Sequence, residues 1–407
     1  MVLSLTLVFY ILLLSLHRRI GLIKYSILTT TLYLISLSFI QTLDITLPLY
    51  FVFMVIPNIR YFIVKNTREL FILLYFLCIL AISMINNGIF ASASIFLIRA
   101  AGLFLFFYLF QGISVSCITS ELKSEKEIIQ IVKLIICSEV ILLALAIYLS
   151  FGDTSKRHML NYQCTIGCIS TGAMLLMAYF LSVSKRKKQI WIAMLIMLAI
   201  TAYSGTRGYI VVVGAIFAAS IVCFVHDRKK VILSLAAIAL ILLLWEKIYH
   251  IIFTVLRFGE STGRRASENL FFLKSLTTSR FYNVLFGHGF GTSITKVPEF
   301  KSILSSVSDS SYTYYTMHYV SGFHNCWYTI WYSAGTFGFI FIMTLYMSLF
   351  LKARSQCKNK KVRLTVYAFL FSYFILMWFR WSATSGIFEF FILAIVMKMA
   401  NNQMIRS

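Results

Sequence analysis

Acidic residues, prolines and charge in general are scarce in this 407-residue chain. It holds 14 Asp and Glu residues and three Pro, and charged residues make up 13% of it, against about 25% in a soluble domain. Hydrophobic residues make up 60%, and the mean hydropathy is +0.85. Because soluble monomers rarely expose large apolar patches, this composition excludes a soluble enzyme, a disordered tail and a fibrous protein. It predicts an all-α polytopic membrane protein.

The cysteines do not form a recognisable framework. None of the eight belongs to a CxxC pair, and four of them lie inside apolar runs, where a free cysteine behaves as a small buried hydrophobic residue. Neither a disulfide scaffold nor a metal site is predicted, and no cofactor is expected. Residues 1–16 are apolar but lack a basic segment before them and a small-residue cleavage site after them. We therefore expect a retained first span rather than a signal peptide.

Long apolar runs recur along the chain. A membrane-spanning helix needs about 20 apolar residues. The short runs at 1–16, 47–60 and 190–203 leave the count between ten and thirteen, one of them having a re-entrant segment as its alternative. Candidate spans lie near 1–16, 25–42, 47–60, 70–85, 89–110, 130–151, 165–184, 190–203, 209–225, 231–249, 324–351, 364–380 and 386–402.

The charge of the connecting segments alternates. The chain carries 37 Lys and Arg residues and a net charge of +23, which accumulates in every second connection, for example at 185–188 and 352–363. Lys and Arg collect in cytoplasmic loops of membrane proteins, so nucleic acid is not an expected partner. The connections between these basic loops then face outward. They include the short loop 204–208 and one large extracytoplasmic segment, 250–323.

This large segment divides the chain into an N-terminal bundle (1–249), the loop itself (250–323) and C-terminal helices (324–407). The loop is basic although it faces outward, and four of its charges are arginines, which suit bidentate recognition of phosphate. An anionic ligand is favoured slightly over an ordinary solvated surface. Apolar residues between 270 and 276 predict an amphipathic helix along the membrane surface. The arginines are Arg257, Arg264, Arg265 and Arg280.

Three short motifs fall on the outward side. Arg207, flanked by Gly205 and Gly208, would meet a ligand at the end of a span or snorkel to the interface. The glycine-rich run 287–291 predicts a tight turn, because it lacks the context of a dinucleotide-binding motif. His324, followed by Asn325, is either a base near neutral pH or part of an interfacial aromatic belt.

Two ionisable residues, Arg99 and Glu139, lie in the middle of apolar runs. Charges inside a bilayer are costly and are usually paired or functional. They either pair with each other or mark a transport path, and the sequence does not decide between these.

Taken in order, these motifs resemble the bacterial O-antigen polymerase and O-antigen ligase superfamily. Thr206-Arg207 stands at an outer loop, Ser261 to Arg265 opens the large loop, and Phe286-Gly287-His288-Gly289-Phe290-Gly291 and His324-Asn325 follow, with Gly335 and Gly338 beyond them. The resemblance covers about 200–340, while residues 1–190 match only in hydropathy.

The resemblance implies a metal-independent, inverting glycosyltransferase in the bacterial plasma (inner) membrane, with its active site facing outward. Its donor would be an undecaprenyl-pyrophosphate-linked glycan. Other implied partners are membrane lipid, a chain-length regulator and further polysaccharide-export proteins. Arg207 and Arg264 would clamp the departing pyrophosphate, and His324 would deprotonate or position the acceptor hydroxyl. Arg265, Arg280 and Asn325 are expected to bind substrate, and the doublet leaves open which of Arg264 and Arg265 is functional.

Two alternatives remain. A polymerase adds the glycan to a lipid-linked acceptor, in an O-antigen or a capsule, whereas a ligase adds it to lipid A core. The polymerase is weakly favoured because such enzymes vary strongly in sequence and this chain carries only the minimal shared pattern. A flippase for the same lipid-linked sugars would explain Arg99 and Glu139, but it would not need a large basic outer loop. We find no internal repeat of the kind that transporters often contain.

Overall fold

The computed structural model describes the backbone of residues 2–40, 46, 49–50, 52–54, 56–57, 67–87, 125–150, 166–203, 207–225, 227, 272–289, 292, 325–377 and 387–402. Within these residues the protein is all-helical, without strands. The all-α class predicted from composition is therefore confirmed for the described part of the chain.

The helices are numbered here in chain order. They are α1 (Val2–Ile20), α2 (Leu22–Ile40), α3 (Thr67–Asn87), α4 (Glu125–Ser150), α5 (Ile166–Val183), α6 (Lys187–Tyr203), α7 (Arg207–Phe224), α8 (Phe281–Phe286), α9 (Cys326–Gln356), α10 (Lys360–Leu376) and α11 (Ile387–Asn402).

Ten of the thirteen apolar runs coincide with a described helix of similar length. A continuous apolar run without proline favours a helix wherever its backbone must bond internally. The run at 47–60 is described only in part, with helical residues at 49–50, 52–54 and 56–57. The runs at 89–110 and 231–249, together with Arg99, lie outside the described residues. The backbone of Glu139 lies in α4, and its side chain is not described.

Only two of the described helices are long and apolar enough to cross a membrane by themselves: α1 and α9. Shorter apolar stretches of 10–17 residues occur at Leu22–Ser36, Thr171–Val183, Ile210–Phe224 and Ile392–Asn401. The predicted ten to thirteen crossings therefore remain a prediction.

Helix α5 is the centre of the bundle. It packs against α4, α6, α7, α10 and α11, and most of its side chains from 171 onward are buried. At Gly172 a side chain would meet Ile392 of α11, so the absence of one lets these two helices approach closely. The core is thus assembled around a helix that presents apolar residues on every face, as expected for a helix surrounded by others.

Helix α1 has the opposite character. It packs against α2, yet most of its apolar side chains remain exposed. The exposed apolar residues of α1 are Val2, Leu3, Leu5, Leu7, Val8, Phe9, Ile11, Leu12 and Leu16.

Candidate functional site

The long helix α9 is interrupted at Gly335. The backbone there has φ 68° and ψ −170°, a conformation that is essentially restricted to glycine. The sequence predicted a candidate span near 324–351, and the interruption at Gly335 was not predicted. A break of this kind removes the i+4 donors of the preceding turn and leaves its carbonyls to be satisfied from elsewhere.

The turn at Gly287–Gly289 supplies two of the missing donors. The His288 N–H donates to the carbonyl of Tyr332 at 2.7 Å, and the Gly289 N–H donates to that of Ser333 at 3.1 Å. Both glycines have positive φ, 79° and 85°, which confirms the tight turn predicted for this part of the motif. Phe290 and Gly291 lie outside the described residues.

Gly287 and Gly335 face each other where the turn at Gly287–Gly289 packs against the break in α9. We call this contact the crossing. A Cβ on Gly287 would lie 2.5 Å from the carbonyl carbon of Ser333, and one on Gly335 would lie 2.5 Å from the nitrogen of Gly287. Real Cβ atoms essentially never approach so closely. The crossing therefore requires glycine at both positions, because a side chain would clash there and because both residues have positive φ.

Two further hydrogen bonds hold the same crossing. The Thr336 hydroxyl donates to the carbonyl of Val284 at 2.8 Å, and the Tyr75 hydroxyl of α3 donates to the carbonyl of Ala334. Neither Tyr75 nor Thr336 was predicted from the sequence to have a role. The glycine in the middle of an apolar run was the one local signal of a break. We call Gly287–Gly289, Tyr332–Thr336 and Tyr75 the latch.

His288 is a structural member of the latch. Its side chain is 1% exposed and stacks on Tyr332, with ring centroids 4.7 Å apart and 15° between the planes. Its carbonyl accepts from the Thr292 hydroxyl at 2.6 Å. A buried, stacked ring anchors the turn, and His288 lies within the run 287–291 for which a tight turn was predicted.

The start of α9 is fixed by a cap. Asn325, which is 5% exposed, accepts with its side-chain oxygen from the Trp327 N–H at 3.0 Å. This is a helix N-cap, a structural role that was not predicted, and the predicted contact of Asn325 with substrate stays a prediction. The next amide, that of Cys326, donates to the carbonyl of Met377 at the end of α10, at 2.9 Å.

The aromatic residues after Asn325 pack inside the bundle. Trp327 and Trp331 are 2% and 5% exposed, and the Trp327 indole donates to the carbonyl of Phe374 at 3.3 Å. Tyr328 stacks on Phe272 at a ring distance of 4.0 Å. Residues 272–278 are helical, as predicted. The Phe272 ring packs against α9, whereas the Leu273 side chain is 59% exposed.

The packing separates two ends of the bundle. Lys361, at the start of α10, lies 5.8 Å from the ring of Phe224, at the end of α7, and these two helices pack together. They are therefore antiparallel, and each is about 25 Å long at 1.5 Å per residue. The start of α7, Arg207, then lies at the end where Met377 meets Cys326. This end also carries the latch, and we call it the latch end.

The predicted site residues are described unevenly. Arg207 is the first residue of α7, and its side chain is not described. Arg280 precedes α8; it is exposed and donates to the Tyr282 hydroxyl at 3.2 Å. Helix α8 packs on α9, so the backbones at Arg207, Arg280 and Asn325 all lie toward the latch end. His324, Arg264 and Arg265 lie outside the described residues.

Among the described residues, no group of three or more His, Cys, Asp and Glu side chains could hold a metal ion. The polar groups described at the latch end include Asn325, Arg280, His288, hydroxyl groups and backbone amides.

Comparison with family models, with curated proteins and with solved structures gives no match for this chain.

Proposed function

We propose that this protein is a multi-span glycosyltransferase of the bacterial plasma membrane. It would extend an O-antigen or capsular polysaccharide by moving a glycan from an undecaprenyl-pyrophosphate-linked donor to a lipid-linked acceptor at the outer face. The observation that supports this best is the sorting of the motifs. The starts of α7 and α9 and the glycine-rich turn share the latch end. The basic start of α10, where Lys361 lies beside Phe224, is at the opposite end.

The exposed apolar surface supports the membrane part of the proposal. Large apolar side chains are exposed on α1, and also on α3, α6 and α9, for example Phe71, Ile196 and Leu351. Exposed apolar surface on this scale is unusual on a soluble monomer, whereas lipid chains would cover it in a membrane. Ten apolar runs that form helices agree with a polytopic arrangement.

The chemistry of the reaction explains the residue types. The bond from the sugar to the pyrophosphate breaks while the acceptor hydroxyl attacks the anomeric carbon and loses its proton. Negative charge grows on the leaving pyrophosphate, and fixed cations stabilise it most where water is excluded. Arg207 and Arg264 are proposed as the clamp, with Arg265 and Arg280 as further contacts and His324 as the base. The activated donor supplies the energy, so neither ATP nor a metal ion is required.

A transporter is the rival from another class, and the broken helix α9 is the observation that favours it. Transporters often use the free backbone groups of interrupted helices to hold ions or substrate. Here the carbonyls of Tyr332, Ser333 and Ala334 each accept from a donor of the protein itself. Because these groups are already satisfied, the break serves packing, and we prefer the transferase.

The sidedness is tested with reporters. A reporter fused near residue 290 should read extracytoplasmic, and one near residue 357 should read cytoplasmic. If both report the same side, the arrangement of α9 in the membrane is wrong and the proposed outward site is wrong with it.

The activity is tested with the purified protein and a lipid-linked repeat unit. Growth of the glycan chain on a lipid-linked acceptor is expected. Transfer to lipid A core instead would identify a ligase, and movement of the donor across a bilayer without bond formation would identify a carrier.

Two variants then separate the roles. Arg207→Lys keeps a charge but loses the planar fork that matches phosphate oxygens, so it should abolish most turnover. His324→Ala should lower the rate roughly 10²–10⁴-fold while donor binding persists. His288→Ala is the matched histidine substitution: it should lower the unfolding temperature because the ring stacks on Tyr332, with a smaller loss of rate.

A further inference from the structure

The end of the bundle opposite the latch gathers two basic turns that are far apart in sequence. One joins α5 to α6 and contains Lys185, Arg186, Lys187 and Lys188, all exposed. The other joins α9 to α10. Its basic residues are Lys352, Arg354, Lys358, Lys360, Lys361 and Arg363, of which Lys352 and Arg363 are half-buried and the others exposed.

Contacts with α7 bring these two turns to one surface. The Trp191 ring, in the second turn of α6, lies 5.7 Å from the Phe217 ring of α7, two turns before α7 ends. On the other side, Lys361 lies over Phe224, the last residue of α7. The end of α7 therefore lies between the two turns, and both face the same way.

Both turns are built as fixed structures. In the first, the Arg186 N–H donates to the Ser184 hydroxyl at 3.1 Å. In the second, the Asn359 side chain accepts from the Lys361 N–H at 2.9 Å, and the Arg363 N–H donates to the Asn359 carbonyl at 2.9 Å. These bonds fix the backbone from which the basic side chains extend.

The charge of the two turns is of one sign, although the exposed Asp227 lies three residues beyond Phe224. The two turns hold ten of the 37 Lys and Arg residues of the chain, and neither 184–203 nor 351–377 contains an Asp or Glu. Basic clusters beside membrane helices attract anionic lipid headgroups, and the attraction falls off within a Debye length. The apolar helices next to the turns would hold the surface at the depth of those headgroups.

We propose that this surface, formed by the α5–α6 and α9–α10 turns, binds the phosphate headgroups of anionic phospholipids. The proposal rests on the membrane part of the proposed function but not on glycosyl transfer. It assigns the ten basic residues a specific lipid contact in addition to their effect on orientation.

The test uses the full-length protein purified in a mild non-ionic detergent. Phosphatidylglycerol, cardiolipin or phosphatidylcholine is added at equal concentration, and lipid retained by the protein is measured by native mass spectrometry. The anionic lipids should be retained, and phosphatidylcholine should not. Equal retention of all three would overturn the proposal.

Variants locate the contact. Lys187→Gln/Lys188→Gln and Lys360→Gln/Lys361→Gln should each lower retention of the anionic lipids about fivefold or more, since one lysine near an anionic surface contributes roughly a factor of five. Arg18→Gln/Arg19→Gln, at the end of α1, removes the same charge elsewhere and should change retention little. An equal loss in that control would show an effect of net charge alone.

Two competitors define the ligand. Inorganic phosphate or poly-glutamate at millimolar concentration should not displace the lipid, and displacement by either would mean that the surface recognises a soluble anion or an acidic polypeptide. Chain growth is measured on the same samples. Lipid retention without chain growth would contradict only the transferase, and chain growth without lipid retention would contradict only this surface.

Discussion

The backbone amide of His288 donates to the carbonyl of Tyr332 at 2.7 Å, although the two residues are 44 positions apart. The bond joins the large loop that separates the two groups of helices to the first turns of α9. It is possible because the break at Gly335 leaves the Tyr332 carbonyl without its usual helical donor.

The latch offsets the cost of the break. An unsatisfied buried carbonyl costs about 1–3 kcal/mol, and three consecutive carbonyls here receive donors from the loop and from α3. The same bonds fix the turn at Gly287–Gly289 relative to the start of α9. A proposed base at residue 324 would need the start of α9 held still in this way.

The first prediction concerns the glycines of the latch. Gly335→Ala and Gly287→Ala should each lower the free energy of unfolding by roughly 1–3 kcal/mol or more, because both positions combine positive φ with a direct clash. The measurement is thermal unfolding in detergent. Gly214→Ala in α7 is the control: nothing lies within 4 Å of its Cβ, so it should be neutral or stabilising. Tolerance of alanine at Gly335 would contradict the crossing.

The second prediction concerns Tyr75. Tyr75→Phe removes the donor to the Ala334 carbonyl and should increase hydrogen exchange of the Gly287 and Gly289 amides, because the latch loses one of its bonds. Tyr148→Phe removes a hydroxyl from a residue that is 75% exposed and should leave exchange unchanged. Equal exchange in wild type and Tyr75→Phe would show that α3 does not support the latch.

The positions of the helices could be predicted from the sequence, whereas the latch could not. An apolar run such as 209–225 specifies its helix locally, because the helix satisfies its own backbone. The break at Gly335 depends on partners 48 and 260 positions away, Gly287 and Tyr75, and no local pattern records that pairing. The glycines of the loop signalled a turn, but they did not signal what the turn packs on.

The candidate site shows the same division. The residue types and their order predicted that Arg207 and Asn325 share the outward side, and the antiparallel packing of α7 on α10 brings their backbones to one end. The capping role of Asn325 was missed, although Asn before an apolar helix is a common N-cap signal. Asn325 can both cap α9 and contact substrate, and a substitution can separate these two roles.

The third prediction separates those roles. Asn325→Ala should lower the free energy of unfolding by about 0.5–2 kcal/mol, since the Trp327 N–H loses its acceptor. Asn325→Ser keeps an N-cap and should restore the unfolding temperature. If the residue is only a cap, serine restores turnover as well. If the amide also binds substrate, serine restores stability but not turnover. A fully stable Asn325→Ala protein would contradict the cap.

The fourth prediction concerns Cys357, which follows the last residue of α9 in the basic α9–α10 turn. Its side chain is fully buried, and burial raises the pKa of the thiol to about 11, with the nearby Arg363 cation opposing part of that effect. An unfolded cysteine has a pKa of about 8.5. Between these two values the unfolded chain has lost the proton while the folded protein still holds it. Stability attributable to this group is therefore complete below about pH 8.5 and falls as the pH rises toward 11.

Cys357→Ala removes this group, so the unfolding temperature of the variant should decline less steeply between pH 8.5 and 10 than that of the wild type. The variant can start lower, because it loses buried contacts, and the comparison rests on the slopes. In the wild type at pH 8, alkylation at Cys357 should be slow until the protein unfolds, since the thiolate is the reactive form. Parallel pH profiles would show that the pKa of the Cys357 thiol is not raised. Rapid alkylation of Cys357 in the folded protein would show that the thiol is not buried. Either result would mean that the α9–α10 turn is more open than its hydrogen bonds indicate.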